Sequence, residues 1–152
     1  MEQAVALSIK STSCGDCTAC CVIFGIAELN KPQHVTCKHL RGSQCQIYAQ
    51  RPRECAEYFC GWRQGFLTGI ERRPDKWGVV FHRPADTPVP SLHVYELKEG
   101  RSQDKDVQWA VARFRKRFPQ CVVVYLAPGT TIEDAQVTHV GADYYLKKKP
   151  PP

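Results

Sequence analysis

The sequence predicts an α+β protein with two unlike halves: an irregular, cysteine-rich, metal-stabilised half with short helices, then a small β-β-α-β half. Eight of the nine cysteines lie between Cys14 and Cys60, whereas hydrophobic periodicity becomes regular only after Pro74. The polar stretch around Pro74 separates these two compositions. We therefore expect a cysteine-cluster metal-binding region at 11–73, a small α+β region at 74–146, and a solvated, disordered tail at 147–152.

The cysteine-rich half has too few apolar residues for a core of its own. Its apolar positions are sparse and irregularly spaced before Ile47 and Tyr48. Pro52 suits the first turn of a helix that runs to Tyr58, and we expect one or two such short helices among irregular loops. A segment of about 60 residues with so thin a core usually needs disulfides or a metal to stabilise it.

The second half shows the ordinary patterns of a small sheet. Trp77–His82 is rich in β-branched and aromatic residues, which predicts a strand. Ser91–Lys98 is predicted to be a second strand, which ends at Gly100. Cys121–Leu126 is a short apolar run, which is typical of a buried strand. Thr131–Asp134 predicts one further helical turn.

One helix precedes the third strand. Val107, Val111 and Phe114 recur at the spacing of a single helical face, and Phe118 extends it. Pro119 stops the helix, while Ser102 or Asp104 can cap its start. This helix is expected to pack on the small sheet.

Composition excludes several classes of protein. Hydrophobic residues make up 43% and charged residues 24%, which are ordinary values for a folded protein and exclude a wholly disordered chain. No apolar run approaches the roughly 18 residues that a membrane span needs, so we expect no membrane partner. The net charge of +6 is shared evenly by the two halves, which permits contact with nucleic acid without favouring it.

The N-terminus decides how the clustered thiols are interpreted. It begins with an acidic residue, Glu2, and its apolar stretch Val5–Ile9 is too short for the core of an export signal. We therefore expect a cytoplasmic protein, where structural disulfides are uncommon. A metal site is accordingly favoured over a disulfide framework.

The spacing of the cysteines is typical of metal ligation. Two residues between thiols let a tight turn direct both sulfurs to one ion, at about 2.3 Å for zinc. The side chains of adjacent Cys20 and Cys21 diverge in a regular helix or strand, so they serve two centres or one of them is not a ligand. Cys55 and Cys60 lie about 140° apart on a helix, so they share an ion only if the helix ends between them. The set fits two four-coordinate sites or one multinuclear cluster, and the predicted ligands are Cys14, Cys17, Cys20, Cys21, Cys37, Cys45, Cys55 and Cys60.

Spacing does not choose between zinc and an iron–sulfur cluster. Cys14, Cys17 and Cys20 match the first three cysteines of the bacterial ferredoxin run. That run continues with a further cysteine and then a proline, where this chain has Phe24 and Gly25. A distant cysteine could complete such a cluster, and all-thiolate ligation suits both cofactors.

The whole pattern resembles one family. The Cys-x2-Cys-x2-Cys-Cys motif at 14–21, Cys37, the segment Cys45–Cys55 with its Ile-Tyr and Arg-Pro elements, and Cys60-Gly-Trp62 resemble the YkgJ-type cysteine-cluster family. The resemblance covers about a third of the chain. It implies a domain, found mainly in bacteria, that chelates zinc or iron.

A related cysteine cluster occurs in flagellin lysine methylases, which resemble iron–sulfur enzymes. This chain is much shorter, and no glycine-rich loop after a strand suggests a pocket for a methyl donor. The methylase activity is therefore not carried over.

Other reactive side chains have simpler interpretations. Cys121 is expected to be a buried core thiol, and Trp62 to cover the site from solvent. His34 and His39 flank Cys37 and could replace a thiol in a mixed site. Arg51 could neutralise the charge of the thiolates. His82, His93 and His139 are expected to be structural or exposed. A basic patch on the helix, which the helix dipole alone explains, consists of Arg113, Arg115, Lys116 and Arg117.

The sequence thus predicts a cytosolic protein that binds metal, either zinc or an iron–sulfur cluster. One alternative is an enzyme that depends on an iron–sulfur cluster, and another is a nucleic-acid-binding protein stabilised by zinc. No Ser/His/Asp order, carboxylate pair or phosphate loop stands out, so no catalytic residue is assigned and enzymatic activity is left open.

Overall fold

A computed structural model describes residues 17–58, 60–64, 72–84 and 87–152. The chain is of mixed α+β class, as the sequence predicts, and divides into two compact units, Met1–Lys76 and Trp77–Pro152. A four-residue helical turn, Pro74–Trp77, spans the division. No helix of the described residues has both the length and the apolar composition needed to cross a bilayer.

The first unit is mostly loop in its described residues. Cys45 pairs with Leu40 in a two-stranded hairpin that the sequence did not predict. The helix expected after Pro52 is confirmed, but it ends at Glu57. Few apolar side chains are buried here. The elements are α1 (Ala19–Ile23), β1 (Leu40–Arg41), β2 (Gln44–Cys45) and α2 (Arg53–Glu57); the buried apolar residues are Ala19, Ile23, Ile26, Cys37, Cys60 and Trp62.

The second unit is built on a five-stranded sheet in its described residues. The predicted order β-β-α-β is present, and a hairpin of two more strands follows it. In chain order, after α3 (Pro74–Trp77), the elements are β3 (Val79–His82), β4 (Ser91–Glu96), α4 (Lys105–Arg117), β5 (Val122–Leu126), β6 (Ala135–Val140) and β7 (Asp143–Lys148). The pairing runs β3-β4-β5-β7-β6, parallel between β4 and β5 and between β5 and β7, and antiparallel elsewhere.

Helix α4 covers one face of this sheet. The Gln108 side chain donates to the Tyr125 hydroxyl at 3.0 Å, and Arg115 forms an ion pair with the buried Asp143 carboxylate. Leu92 and Val94, on the same face as Tyr125, are fully buried. Asp104 occupies the position before the helix, but its carboxylate pairs with Arg101 instead of capping the backbone.

The last hairpin differs from the sequence expectation. Lys147 and Lys148 stand at the start of the segment expected to be tail, but the structure places them in β7, where they pair with Gln136 and Ala135. The hairpin escapes hydrophobic patterning because β6 is an edge strand that is almost wholly exposed. Residues 131–134 form a turn closed by a hydrogen bond from Asp134 N–H to Thr131 O at 3.3 Å, not a helical turn.

A buried carboxylate ties the strands to the loop before α4. Glu96 is 3% exposed, and its two oxygens accept from Ser102 N–H at 2.8 Å and from the Tyr145 hydroxyl at 2.6 Å. Hydrogen bonds to both oxygens keep this carboxylate from being a buried charge without partners.

Candidate metal centre

Five of the predicted ligands gather in the first unit. We call these five residues the thiol cluster. It includes the free thiols of Cys21, Cys37, Cys45 and Cys55. Cys14 lies outside the described residues. The members of the thiol cluster are Cys20 and Cys21 in α1, Cys37 in the following loop, Cys45 in β2 and Cys55 in α2.

Backbone hydrogen bonds hold these segments side by side. Cys37 N–H donates to Cys21 O at 3.0 Å, and Leu40 N–H donates to Cys37 O at 3.1 Å. Leu40 in turn pairs with Cys45 across the hairpin. Burial raises the pKa of Cys55, and the charges of Cys21, Cys37 and Cys45 raise it further. Each of these thiols therefore lies within electrostatic range of Cys55.

A buried lysine lies beside the thiol cluster. Lys31 is 8% exposed, and its ammonium donates to Phe24 O at 2.5 Å and to Val22 O and Pro32 O at 3.3 Å. Burial lowers the pKa of Lys31, whereas four of the clustered thiols (Cys20, Cys21, Cys37 and Cys55) act to raise it. The ammonium is thus placed where thiolate charge would stabilise it.

A tight loop returns Lys31 to α1. Ile26 and Lys31 form an antiparallel bridge with two backbone hydrogen bonds of 2.9 and 3.0 Å. Asn30 takes a left-handed conformation (φ 50°), which asparagine tolerates better than most residues and which closes the loop. Sequence reasoning missed Lys31, because a single lysine in the polar run Asn30–His34 carries no signal of burial.

The side chains of Cys20 and Cys21 contact each other, although side chains of neighbouring residues usually point in different directions. A hydrogen bond from the Cys20 side chain is the main cause that lowers the pKa of Cys21 to about 7; burial opposes the shift and Lys31 supports it. A thiol with this pKa is partly ionised at neutral pH, and the thiolate is the form that binds metal or attacks electrophiles. The expectation that these side chains diverge does not hold in this five-residue helix.

Cys17 and Cys60 have other surroundings. The side chain of Cys17 contributes, after Arg73, to lowering the pKa of Asp75, which forms an ion pair with Arg73. Cys60 is 8% exposed and follows the end of α2 at Glu57, so the helical angle that separates it from Cys55 does not apply.

The flanking residues lie as follows. Arg51 stacks over the Tyr48 ring at 4.1 Å. The cation that the charges of several thiols affect is Lys31, which the sequence did not single out. His34 and His39 are partly buried, and Trp62 is 6% exposed. In the second unit Cys121 is buried, as predicted. In the predicted basic patch of the helix, Arg115 pairs with Asp143 and Arg113 stacks over Trp109 at 4.8 Å. Lys116 and Arg117 are exposed.

The donor set fits a thiophilic metal by its chemistry, but the described thiols are not gathered to coordination distance. Sulfurs bound to one zinc ion lie about 3.8 Å apart. Within 17–58, 60–64, 72–84 and 87–152, no group of three or more Cys, His, Asp or Glu side chains is arranged to hold an ion. The thiols come from short helices, a hairpin and loops, so several segments would have to move closer together to bind one ion.

Comparisons with family models, curated proteins and solved structures find no match to this chain. The resemblance to the YkgJ-type family therefore stays a prediction that rests on the quoted cysteine pattern.

Proposed function

We propose that the first unit binds a metal, zinc or an iron–sulfur cluster, through its clustered thiolates. One observation carries the proposal: thiols from three separate segments lie within electrostatic range of a buried lysine, and a fourth segment brings Cys45 within range of Cys55. The ligands are drawn from the eight cysteines that the sequence predicts: Cys14, Cys17, Cys20, Cys21, Cys37, Cys45, Cys55 and Cys60.

Electrostatics explains why a lysine would be buried here. Taking an ammonium out of water is costly unless an opposite charge or hydrogen bonds compensate. Lys31 has three carbonyl acceptors and four neighbouring thiols, yet burial still lowers its pKa. Four thiolates around Zn²⁺ leave a net charge of about −2, which an adjacent ammonium partly neutralises. Lys31 is well placed for a site that becomes anionic when it is loaded.

Stability gives a second argument. The first unit buries few apolar side chains in its described residues, and two of those, Cys37 and Cys60, are themselves cysteines. A structural zinc site supplies on the order of 10 kcal/mol of folding free energy. Metal binding would therefore supply the stabilisation that this small core lacks.

The chain's own groups have distinct tasks in loading the site. Cys21, with its lowered pKa, offers a thiolate at neutral pH, and Cys20 stabilises that thiolate through its hydrogen bond. Cys55 has a raised pKa, so it keeps its proton until it becomes a ligand. Lys31 offsets the negative charge as the protons leave.

Anaerobic purification of the full chain, followed by elemental analysis and a visible spectrum, tests the proposal. We expect bound zinc without colour or iron with broad brown absorbance, and loss of helical circular dichroism when a chelator removes the metal. Protein purified without metal, with a spectrum unchanged by chelators, would overturn it.

Single Cys→Ser variants test the ligand set, with metal counted per chain. Cys121→Ser is the matched control, because Cys121 is a buried thiol of the second unit. We expect reduced metal content for members of the thiol cluster and full content for the control. A thiol that is dispensable for retention would indicate an open coordination position, which an iron-dependent enzyme needs.

A further inference from the structure

We propose that His82 and His93 form a second, sulfur-free site on the sheet of the second unit, and that this site binds a divalent transition cation such as Zn²⁺. The site is independent of the thiol cluster, since both histidines belong to Trp77–Pro152. Imidazole nitrogen is a preferred ligand of zinc, copper, iron and nickel.

Strand register places the two imidazoles together. His82 of β3 and His93 of β4 are directly opposite each other in the antiparallel pair. The Cβ atoms of such partners lie about 4.5–5.5 Å apart and point to the same face. The two ring centroids are 6.1 Å apart, and the ring planes are inclined by 61°.

This separation suits one shared ion. An ion about 2.1 Å from a ring nitrogen lies about 3.2 Å from the ring centroid. Two rings bound to one ion then have centroids roughly 5.2 Å apart at the tetrahedral angle and 6.4 Å apart when they are opposite each other. The observed 6.1 Å falls inside that interval, so the separation of the two rings is compatible with a shared ion.

Two polar residues lie on the same face of β4 as His93. Leu92 and Val94 face α4, so His93, which lies between them in the strand, faces the other side of the sheet. The Tyr95 ring lies on that side, 6.2 Å from each imidazole, and restricts both rings. Ser91, two residues before His93, has a buried hydroxyl oxygen with no hydrogen-bond partner among the described residues.

Two imidazole ligands leave coordination positions for water, which is typical of an open site and not of a closed structural one.

Zinc titration of the full chain, followed by the ring ¹⁵N signals of its five histidines, tests this site. Once the thiols are saturated, further Zn²⁺ should shift the His82 and His93 signals together. We expect His82→Gln or His93→Gln to weaken that second binding by at least about tenfold, equivalent to about 1.4 kcal/mol. His139→Gln should leave it unchanged, because His139 lies on β6 and stacks on Tyr144 at 4.9 Å.

The outcomes separate this site from the thiol cluster. Loading of the thiol cluster is followed separately with Co²⁺, whose complexes with thiolates absorb strongly in the near ultraviolet. Binding of Zn²⁺ at the histidines is followed by the ring ¹⁵N signals of His82 and His93. Unchanged His82 and His93 signals in excess Zn²⁺ would overturn the proposal and show a packed histidine pair only, whatever the thiols bind. The measurement on the unmodified chain decides this even if a variant fails to fold.

Discussion

Replacing Lys31 by methionine tests the role of the buried ammonium. The side chain keeps its length but loses one strong charge-assisted hydrogen bond, to Phe24 O at 2.5 Å, and two longer contacts at 3.3 Å. Such a strong bond contributes about 1.5–3 kcal/mol. Methionine also removes the desolvation cost that lowers the pKa of Lys31, so the two effects partly cancel. We expect the metal-free protein to lose about 1–2 kcal/mol of unfolding free energy in urea.

The loss of zinc affinity should be clearer than the loss of stability. Two unit charges about 6 Å apart in surroundings of intermediate polarity interact by about 3 kcal/mol before further screening. A zinc–thiolate centre carries more negative charge than the protonated thiols that it replaces, so the ammonium stabilises the loaded state more. We expect the Kd for zinc, measured by chelator competition, to rise at least about tenfold in Lys31→Met.

Two controls make this result interpretable. Lys31→Arg keeps the charge and should retain most of the affinity, whereas Lys38→Met removes an exposed lysine next to Cys37 and should change little. Equal zinc affinity in Lys31→Met and Lys38→Met would refute the electrostatic reasoning, because it would show that the burial of Lys31 has no connection with the thiols.

Three further results are expected. Tyr145→Phe removes the 2.6 Å hydrogen bond to buried Glu96 and should cost about 1–2 kcal/mol in urea unfolding. Burial, together with the charge of neighbouring His93, lowers the pKa of His82 from 6.5 to about 4. The second unit should therefore have its full stability above pH 6.5 and lose stability as the pH falls towards 4. The variant His82→Asn should remove about 2 kcal/mol of this pH-dependent loss, a figure that allows for solvent screening. Cys20→Ala should raise the pKa of Cys21 above about 7 and slow its alkylation in metal-free protein near neutral pH, as followed by mass spectrometry.

Local patterns predicted most of the second unit. The stripe of Val107, Val111 and Phe114 is buried as expected, and α4 ends two residues before Pro119. The sequence did not predict the β6–β7 hairpin. Val137 and Val140 are exposed in β6, so this strand lacks the alternation of buried apolar and exposed polar residues by which strands are recognised. A β-branched run followed by a turn at Gly141 (φ 63°) was the available signal.

The candidate site could be predicted only in part. The cysteine pattern drew attention to Cys37 and Cys55, which are distant in sequence and lie within electrostatic range of each other, whereas their binding of an ion stays a prediction. The contact between Cys20 and Cys21 depends on their rotamers in a very short helix, which spacing rules do not describe. The burial of Lys31 depends on a short loop that returns the chain to α1, and hydrophobic patterning gives no signal for the burial of a single lysine in such a loop.

Both proposed sites coincide with departures from the ordinary rules of folding. In sequences that fold well, local preference and burial agree, and exceptions concentrate at functional sites. In the first unit the exception is an ammonium buried beside thiols. In the second unit β4 buries apolar residues under α4, whereas its other face carries His93 opposite His82. Packing alone would favour apolar side chains at these positions, and a ligand bound at each proposed site would account for the exception there.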